Sequence, residues 1–146
     1  MSREEDVLEW VAYAERDRRA ARHLSTELAH RLNRYIAYLQ KHLALEKAIL
    51  FGSYAYGTPR EGSDIDLMVL SSAFEEMPYP RRLERLSVLA WRTGVGDIEA
   101  LGHTAEEFEE ASDLSLLGEV REQGVVVYER MTINVRRVDG DFGDHP

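Results

Sequence analysis

The sequence predicts an α/β (α+β) fold, a small mixed β-sheet with helices packed on it, preceded by an N-terminal helical extension. Three observations predict it. Short apolar runs alternate with stretches of helical apolar spacing, in the order helix, helix, strand, loop, strand, helix, strand, helix, helix, strand. Such alternation lays helices against a sheet. The 146 residues suit one domain, and 44% hydrophobic with 31% charged residues is a globular balance. Glycine-rich turns stand where the period changes.

The elements follow in order. Val7, Trp10, Val11, Ala14, Ala21 and Leu24 recur at helical spacing, and Arg16, Arg18, Arg19 and Arg22 occupy the other faces. Residues 1–25 are therefore read as a helical extension. Ser25 is placed to cap a second helix with Leu28, Leu32, Tyr35, Ile36, Leu39 and Leu43 on one stripe. Lys47 to Phe51 is a short apolar run closed by Gly52, which predicts a buried strand. Ile65 to Leu70 is rich in branched residues and predicts a second strand. Between them, Gly52 to Asp64 holds three glycines and Pro59, and reads as a compact loop.

Pro78 and Pro80 introduce a helix carrying Leu83, Leu86, Leu89 and Ala90, stopped at Gly94. Gly96 to Leu101 is the third strand. Thr104 and Glu107 form a capping box for a short helix. A further helix spans Asp113 to Gln123, and Val125 to Tyr128 is the last strand. The main domain is thus expected over 26–130, with a loose acidic tail over 131–146 that contains Asp139, Asp141 and Asp144.

Charge and composition exclude several functions. Net charge is −9, from 18 Lys+Arg against 27 Asp+Glu. Long nucleic acids need a basic surface, so they are not the expected partner. There is no cysteine, which removes disulfides, thiolate metal sites and a Cys nucleophile. No apolar run is long enough for a membrane span, and MSREEDVLEW lacks a signal-peptide core, so a cytoplasmic protein is expected. The five histidines show no metal-ligand spacing.

The chemistry concentrates in Gly52-Ser53-Tyr54-Ala55-Tyr56-Gly57-Thr58-Pro59-Arg60-Glu61-Gly62-Ser63-Asp64-Ile65-Asp66. Asp64 and Asp66 are two apart at a strand start, so both side chains take one face. Carboxylates that close repel unless a cation lies between them. Hard oxygen ligands suit Mg²⁺ or Mn²⁺, and Mg²⁺ characteristically joins carboxylates to substrate phosphates. Gly52 and Ser53 open a turn after a strand, where backbone N–H groups and the Ser53 hydroxyl can donate to phosphate. Asp97 is the first candidate for a third carboxylate, with Glu99 in reserve on the same face by alternation. A carboxylate there can also take the proton of an attacking hydroxyl.

The GS-x10-D-x-D pattern resembles the minimal nucleotidyltransferase (MNT) branch of the DNA polymerase β-like nucleotidyltransferase superfamily. The resemblance is carried by Leu50-Phe51-Gly52-Ser53, Ala55, Gly57 and Ser63-Asp64-Ile65-Asp66-Leu67, with Gly124 to Tyr128 similar to the family's closing strand. It spans about residues 30–130. It implies a nucleotidyltransferase fold and a transferase that uses ATP as nucleotidyl donor. It also implies that Gly52, Ser53 and Ser63 contact the nucleotide, that Asp64 and Asp66 bind the metal, and that Asp97 is the third carboxylate. Tyr54 and Tyr56 stand where the family often has arginine, so Arg60 is the candidate replacement cation.

Relatives of this size are often antitoxins that pass AMP to a hydroxyl on a HEPN-domain toxin. The resemblance therefore implies a HEPN-domain partner. Trp10-x3-Ala14-x2-Asp17-x3-Ala21 is itself similar to a first HEPN helix, without the catalytic element that would follow. Two alternatives stand beside this expectation. One is an interaction module that neutralises its partner by binding alone. The other is an aminoglycoside-type small-molecule transferase, which would need a homo-oligomer to supply a substrate surface.

Overall fold

The computed structural model describes residues 26–57, 62 and 64–130. The expected extension over 1–25 and tail over 131–146 lie outside the described residues, as do Arg60 and Ser63.

Helix α1 (Thr26–His42) places Leu28, Leu32, Tyr35, Ile36 and Leu39 in the core. Its apolar stripe recurs every three or four residues, so one face is dry. Leu32, Tyr35 and Leu39 have no exposed surface. Burial of each contributes about 1.5–3 kcal/mol. The Tyr35 hydroxyl donates to the Leu86 carbonyl at 2.9 Å.

Four strands form one sheet: β1 (Leu45–Phe51), β2 (Ile65–Ser71), β3 (Ile98–His103) and β4 (Val125–Glu129). Their order is β3-β2-β1-β4. β1 runs antiparallel to both β2 and β4, whereas β2 and β3 are parallel. The sheet is mixed, as the sequence predicts. The β2–β3 crossover is made by α3 (Tyr79–Arg92), which follows a 3-10 turn at Ser72–Phe74.

Alternation divides the strands between two dry layers. Ala48, Leu50, Ile65, Leu67, Val69, Ile98 and Ala100 pack with α1 and α3. Ile49, Phe51, Met68 and Leu70 face the other way, against Phe108 and Val120. These two belong to α4 (Ala105–Glu110) and α5 (Leu116–Gln123). The sheet is thus covered on both faces.

Three local expectations are corrected. The segment after Gly52 is not all loop, because Ser53–Tyr56 is a short helix, α2. The last helix begins at Leu116 rather than Asp113, because Ser115 is its cap, accepting from the Gly118 N–H at 3.2 Å. The third strand begins at Ile98, not Gly96. Ile98 N–H donates back to the Val95 carbonyl, so Gly96 and Asp97 lie in a turn. The Thr104–Glu107 capping box is present as predicted.

Arg82 is the one described arginine buried in the core, at 6% exposure. It donates to the Met77 and Gly102 carbonyls and holds both Glu107 oxygens, at 2.6 and 3.1 Å. A buried guanidinium needs such saturation. This cluster ties α3, β3 and α4 together beside His103, whose Nδ1 lies 3.3 Å from Glu107.

Candidate functional site

The site is built where β1 ends and β2 begins. Gly52 follows β1 with φ 75° and ψ −157°. A side chain is disfavoured there by the backbone alone. Space forbids it too: a Cβ on Gly52 would lie 2.2 Å from Asp66 Oδ2. The register explains the approach, since Phe51 pairs with Asp66 across the hairpin. Gly52 therefore joins the two halves of the motif physically. Its missing side chain is the space that the Asp66 carboxylate occupies.

The Gly52 carbonyl then accepts from the Ala55 and Tyr56 N–H groups, both at 3.0 Å, and starts α2. Ser53 is half-buried at the first position of this helix. Tyr54 packs against the α1 and α3 layer of the core. Tyr56 instead is 38% exposed, beside the carboxylates. Burial, Glu119 and Asp66 raise the Tyr56 phenol above its usual range, partly offset by a hydrogen bond to the Gly52 backbone. Tyr56 and Glu119 thus border the same space.

Asp66 pairs in register with Glu99 on the neighbouring parallel strand. Both lie on the face that α4 and α5 cover farther along, because Met68 and Leu101 continue their rows into that layer. Asp66 is half-buried and Asp64 and Glu99 are exposed. Burial first, then the charges of Glu99 and Asp64, raise the Asp66 carboxyl above the usual carboxylate range. Like charges are being held together at the end of the sheet.

Asp97 is placed elsewhere. Alternation does not extend to it, because it precedes the strand. Its carboxylate forms an ion pair with Arg31 of α1, on the opposite layer. Its carbonyl accepts from the Ile65 N–H at 3.0 Å, fixing the start of β2 against β3. The structure thus gathers Gly52, Asp64, Asp66 and Glu99, and turns Asp97 toward α1. Arg31 and Glu119 are contributors that the sequence analysis did not single out. Arg31 sits on the polar side of a predicted helix, with nothing local to mark its partner.

A divalent cation fits the donor chemistry: hard carboxylate oxygens of one sign, whose mutual repulsion a cation relieves. Among the described residues, no three His, Asp or Glu side chains are drawn together tightly enough to hold a metal ion. Among the described residues, too, no helix is long and apolar enough to cross a membrane.

Residues 33–132 match the family model described as polymerase beta, nucleotidyltransferase. No curated protein matches the chain. Among solved structures, the chain is similar to one described as "Crystal structure of the toxin-antitoxin with AMP-PNP". Identity to it is 25% and the TM-score 0.50, covering 68% of this chain and 73% of that one. A putative nucleotidyltransferase from Sulfolobus solfataricus is 17% identical with a TM-score of 0.48, covering 89% of each chain. The family match spans the Gly52 turn, the Asp64-x-Asp66 strand, Glu99 and the closing strand β4. The chain belongs to the polymerase beta nucleotidyltransferase family.

Proposed function

We propose that the protein binds ATP with Mg²⁺ (or Mn²⁺) and transfers AMP to a hydroxyl on a partner protein, a HEPN-domain toxin being the expected acceptor. The observation that carries this reading is the Gly52–Asp66 approach beside the Asp66–Glu99 pair. It unites a bare backbone turn, suited to phosphate, with carboxylates suited to a cation. The neighbour described with AMP-PNP and as a toxin-antitoxin supports an adenine nucleotide and a protein acceptor.

In this reading Asp64 and Asp66 would hold the metal together with the substrate phosphates, and Glu99 stands beside Asp66. Asp97, held by Arg31, anchors the turn that sets β3 in register. The third-carboxylate role therefore goes to Glu99 instead of Asp97. The Ser53 hydroxyl and the backbone at Gly52 and Ser53 bind phosphate oxygens, with Ser63 and Arg60 assigned the same task from the sequence. The bound cation supplies charge neutralisation at the phosphates. Glu99, exposed where its register partner Asp66 is half-buried, accepts the proton of the attacking hydroxyl. Tyr56 borders the nucleotide pocket.

The test combines binding and transfer. ATP labelled at the α-phosphate is incubated with Mg²⁺, the full chain and a HEPN-domain protein offered as acceptor. Label on the acceptor, lost with Asp64→Asn and Asp66→Asn together, is the expected result. Absence of both ATP–Mg²⁺ binding and transfer would reject the reading. Unchanged protection by the doubly substituted protein would show a module that acts by binding alone.

A further inference from the structure

We propose that the outer side of α3 is a docking surface for a partner protein, and that it takes an apolar segment of that partner flanked by carboxylates. The docking stands on the surface itself; only the partner's role as acceptor rests on the transfer reading.

The surface is a groove floored by Met77, Val88 and Leu89 and rimmed by Arg81, Arg85 and Arg92, with Glu84 among them. Three arginines against one glutamate leave a local charge of +2 in a chain of net charge −9. These cations are uncompensated. Arg31, Arg82 and Arg121 are ion-paired, whereas Arg81, Arg85 and Arg92 form no ion pair with a described residue. Arg85 only donates to the His42 carbonyl, at 3.2 Å. Val88 is 40% exposed, and Trp91, nearly one turn on, is 79% exposed. Large apolar side chains left in water beside unpaired cations mark a contact surface.

Composition says what covers it. Tryptophan, methionine and arginine are enriched at protein interfaces, and tryptophan and arginine supply many of the hot spots. An apolar floor inside a cationic rim complements an apolar anchor with acidic neighbours. A nucleic acid fits less well, because its phosphates would meet Glu84 between Arg81 and Arg85 and leave the apolar floor without a partner. A second copy fits less well too. Turned face to face about a two-fold axis, the surface would meet its own arginines, and like charges oppose.

The path of the chain ties this surface to the site. α3 ends at Arg92, and the Val95 N–H donates back to the Ala90 carbonyl at 3.1 Å as the chain turns into β3. The second residue of β3, Glu99, pairs with Asp66. Trp91 and Arg92 therefore stand at the end of the sheet that carries the carboxylates. A partner lying along the groove reaches that end.

The test uses the full chain and the HEPN-domain protein offered as acceptor. Calorimetry without nucleotide should show binding that weakens at least about tenfold with Trp91→Ala, and again with Arg81→Glu and Arg92→Glu together. ATP–Mg²⁺ affinity should be unchanged in these variants. Leu114→Ala is the control, since Leu114 is 98% exposed between α4 and α5, on the other layer. In the transfer assay the same α3 variants should raise the acceptor KM at least about tenfold and leave kcat intact. No complex, or affinity that ignores α3 and falls with Leu114→Ala, would overturn the proposal. Transfer with an unchanged KM would overturn it while the transfer reading stands. Binding that depends on Trp91 without any transfer would support docking and count against transfer.

A second measurement identifies the occupant. With Trp10→Phe, Trp91 is the sole tryptophan, and fluorotryptophan gives it one fluorine NMR signal. That signal should show a solvent isotope shift in the free chain and lose it when unlabelled acceptor is added. A signal already shielded in the free chain would make the chain's own residues the occupant. One that responds instead to a uridylate oligonucleotide would make RNA the ligand. Either result overturns the proposal.

Discussion

Replacing Gly52 with alanine separates a backbone effect from a carboxylate effect in one residue. Gly52 has φ 75° and ψ −157°, a backbone region essentially reserved for glycine, so alanine there costs roughly 1–3 kcal/mol. The new Cβ would also lie 2.2 Å from Asp66 Oδ2 and 3.1 Å from its Cγ. A carboxylate can rotate, so the collision is relieved by moving Asp66 off its rotamer at a cost of roughly 1 kcal/mol. The sum is roughly 2–4 kcal/mol, or at least ~8 °C in Tm for a domain near 100 residues. Gly94 supplies the control, since its φ is 76° and nothing lies within 4 Å of an added Cβ. Gly94→Ala should lower Tm by only about 4 °C. Stiffening of the unfolded chain is the same in both and cancels. Thermal melts of the two variants, with and without ATP and Mg²⁺, provide the assay. The distinguishing result is that Gly52→Ala loses at least about tenfold in ATP–Mg²⁺ affinity, 1.4 kcal/mol, while Gly94→Ala retains it. Equal melting and equal nucleotide response in the two variants would refute the reasoning.

Three further predictions come from other contacts. Asp66→Asn removes a charge that faces Glu99 and Asp64, so the metal-free protein should melt no lower than the parent, and its stabilisation by ATP–Mg²⁺ should vanish in the same scan. Glu107 is held at about 2, chiefly by its hydrogen bonds from Arg82. A depressed carboxyl adds stability that is complete above its unfolded value of 4.5 and disappears as pH falls toward 2. Glu107→Gln should cost about 2 kcal/mol at neutral pH, measured by urea denaturation, and should flatten the acid limb of the stability profile. Gly118→Ala would ordinarily favour a helix by about 1 kcal/mol. Here a Cβ would lie 2.4 Å from the Ser112 carbonyl oxygen and 2.7 Å from the Asp113 Cα, which are backbone atoms. The substitution should therefore destabilise by roughly 1–3 kcal/mol.

Legibility from sequence followed the range of the interaction. The α1 stripe from Leu28 to Leu39 was readable because one helix period decides it. So was the Thr104–Glu107 box, whose groups are three residues apart. Asp66 is legible as a strand carboxylate because alternation along β2 fixes its face, whereas Asp64 precedes β2 and alternation does not reach it. Asp97 and Glu99 were not separable in that way. Alternation treats them alike, yet the Ile98–Val95 hydrogen bond delays the strand until after Asp97. Arg31, sixty-six positions away in sequence, then draws that carboxylate to the other layer. Arg82 is a similar case. It shares the buried face of α3 with Leu86 and Leu89, and only the distant Gly102 and Glu107 make that burial tolerable. The short helix α2 is not legible in the sequence because Gly52, Gly57 and Pro59 signal a turn, and a single helical turn carries the same signal.

In the proposed site Asp64 and Asp66 would hold the metal with the triphosphate, Glu99 stands beside Asp66, and Asp97 lies outside, paired with Arg31. Calorimetric titration of ATP in the presence of Mg²⁺ tests this arrangement most directly, comparing Glu99→Gln with Asp97→Asn at matched folded fraction. The account predicts at least about tenfold weaker ATP–Mg²⁺ binding for Glu99→Gln and unchanged affinity for Asp97→Asn, the latter showing only a lower Tm from the lost Arg31 pair. Binding that survives Glu99→Gln and collapses with Asp97→Asn would contradict it.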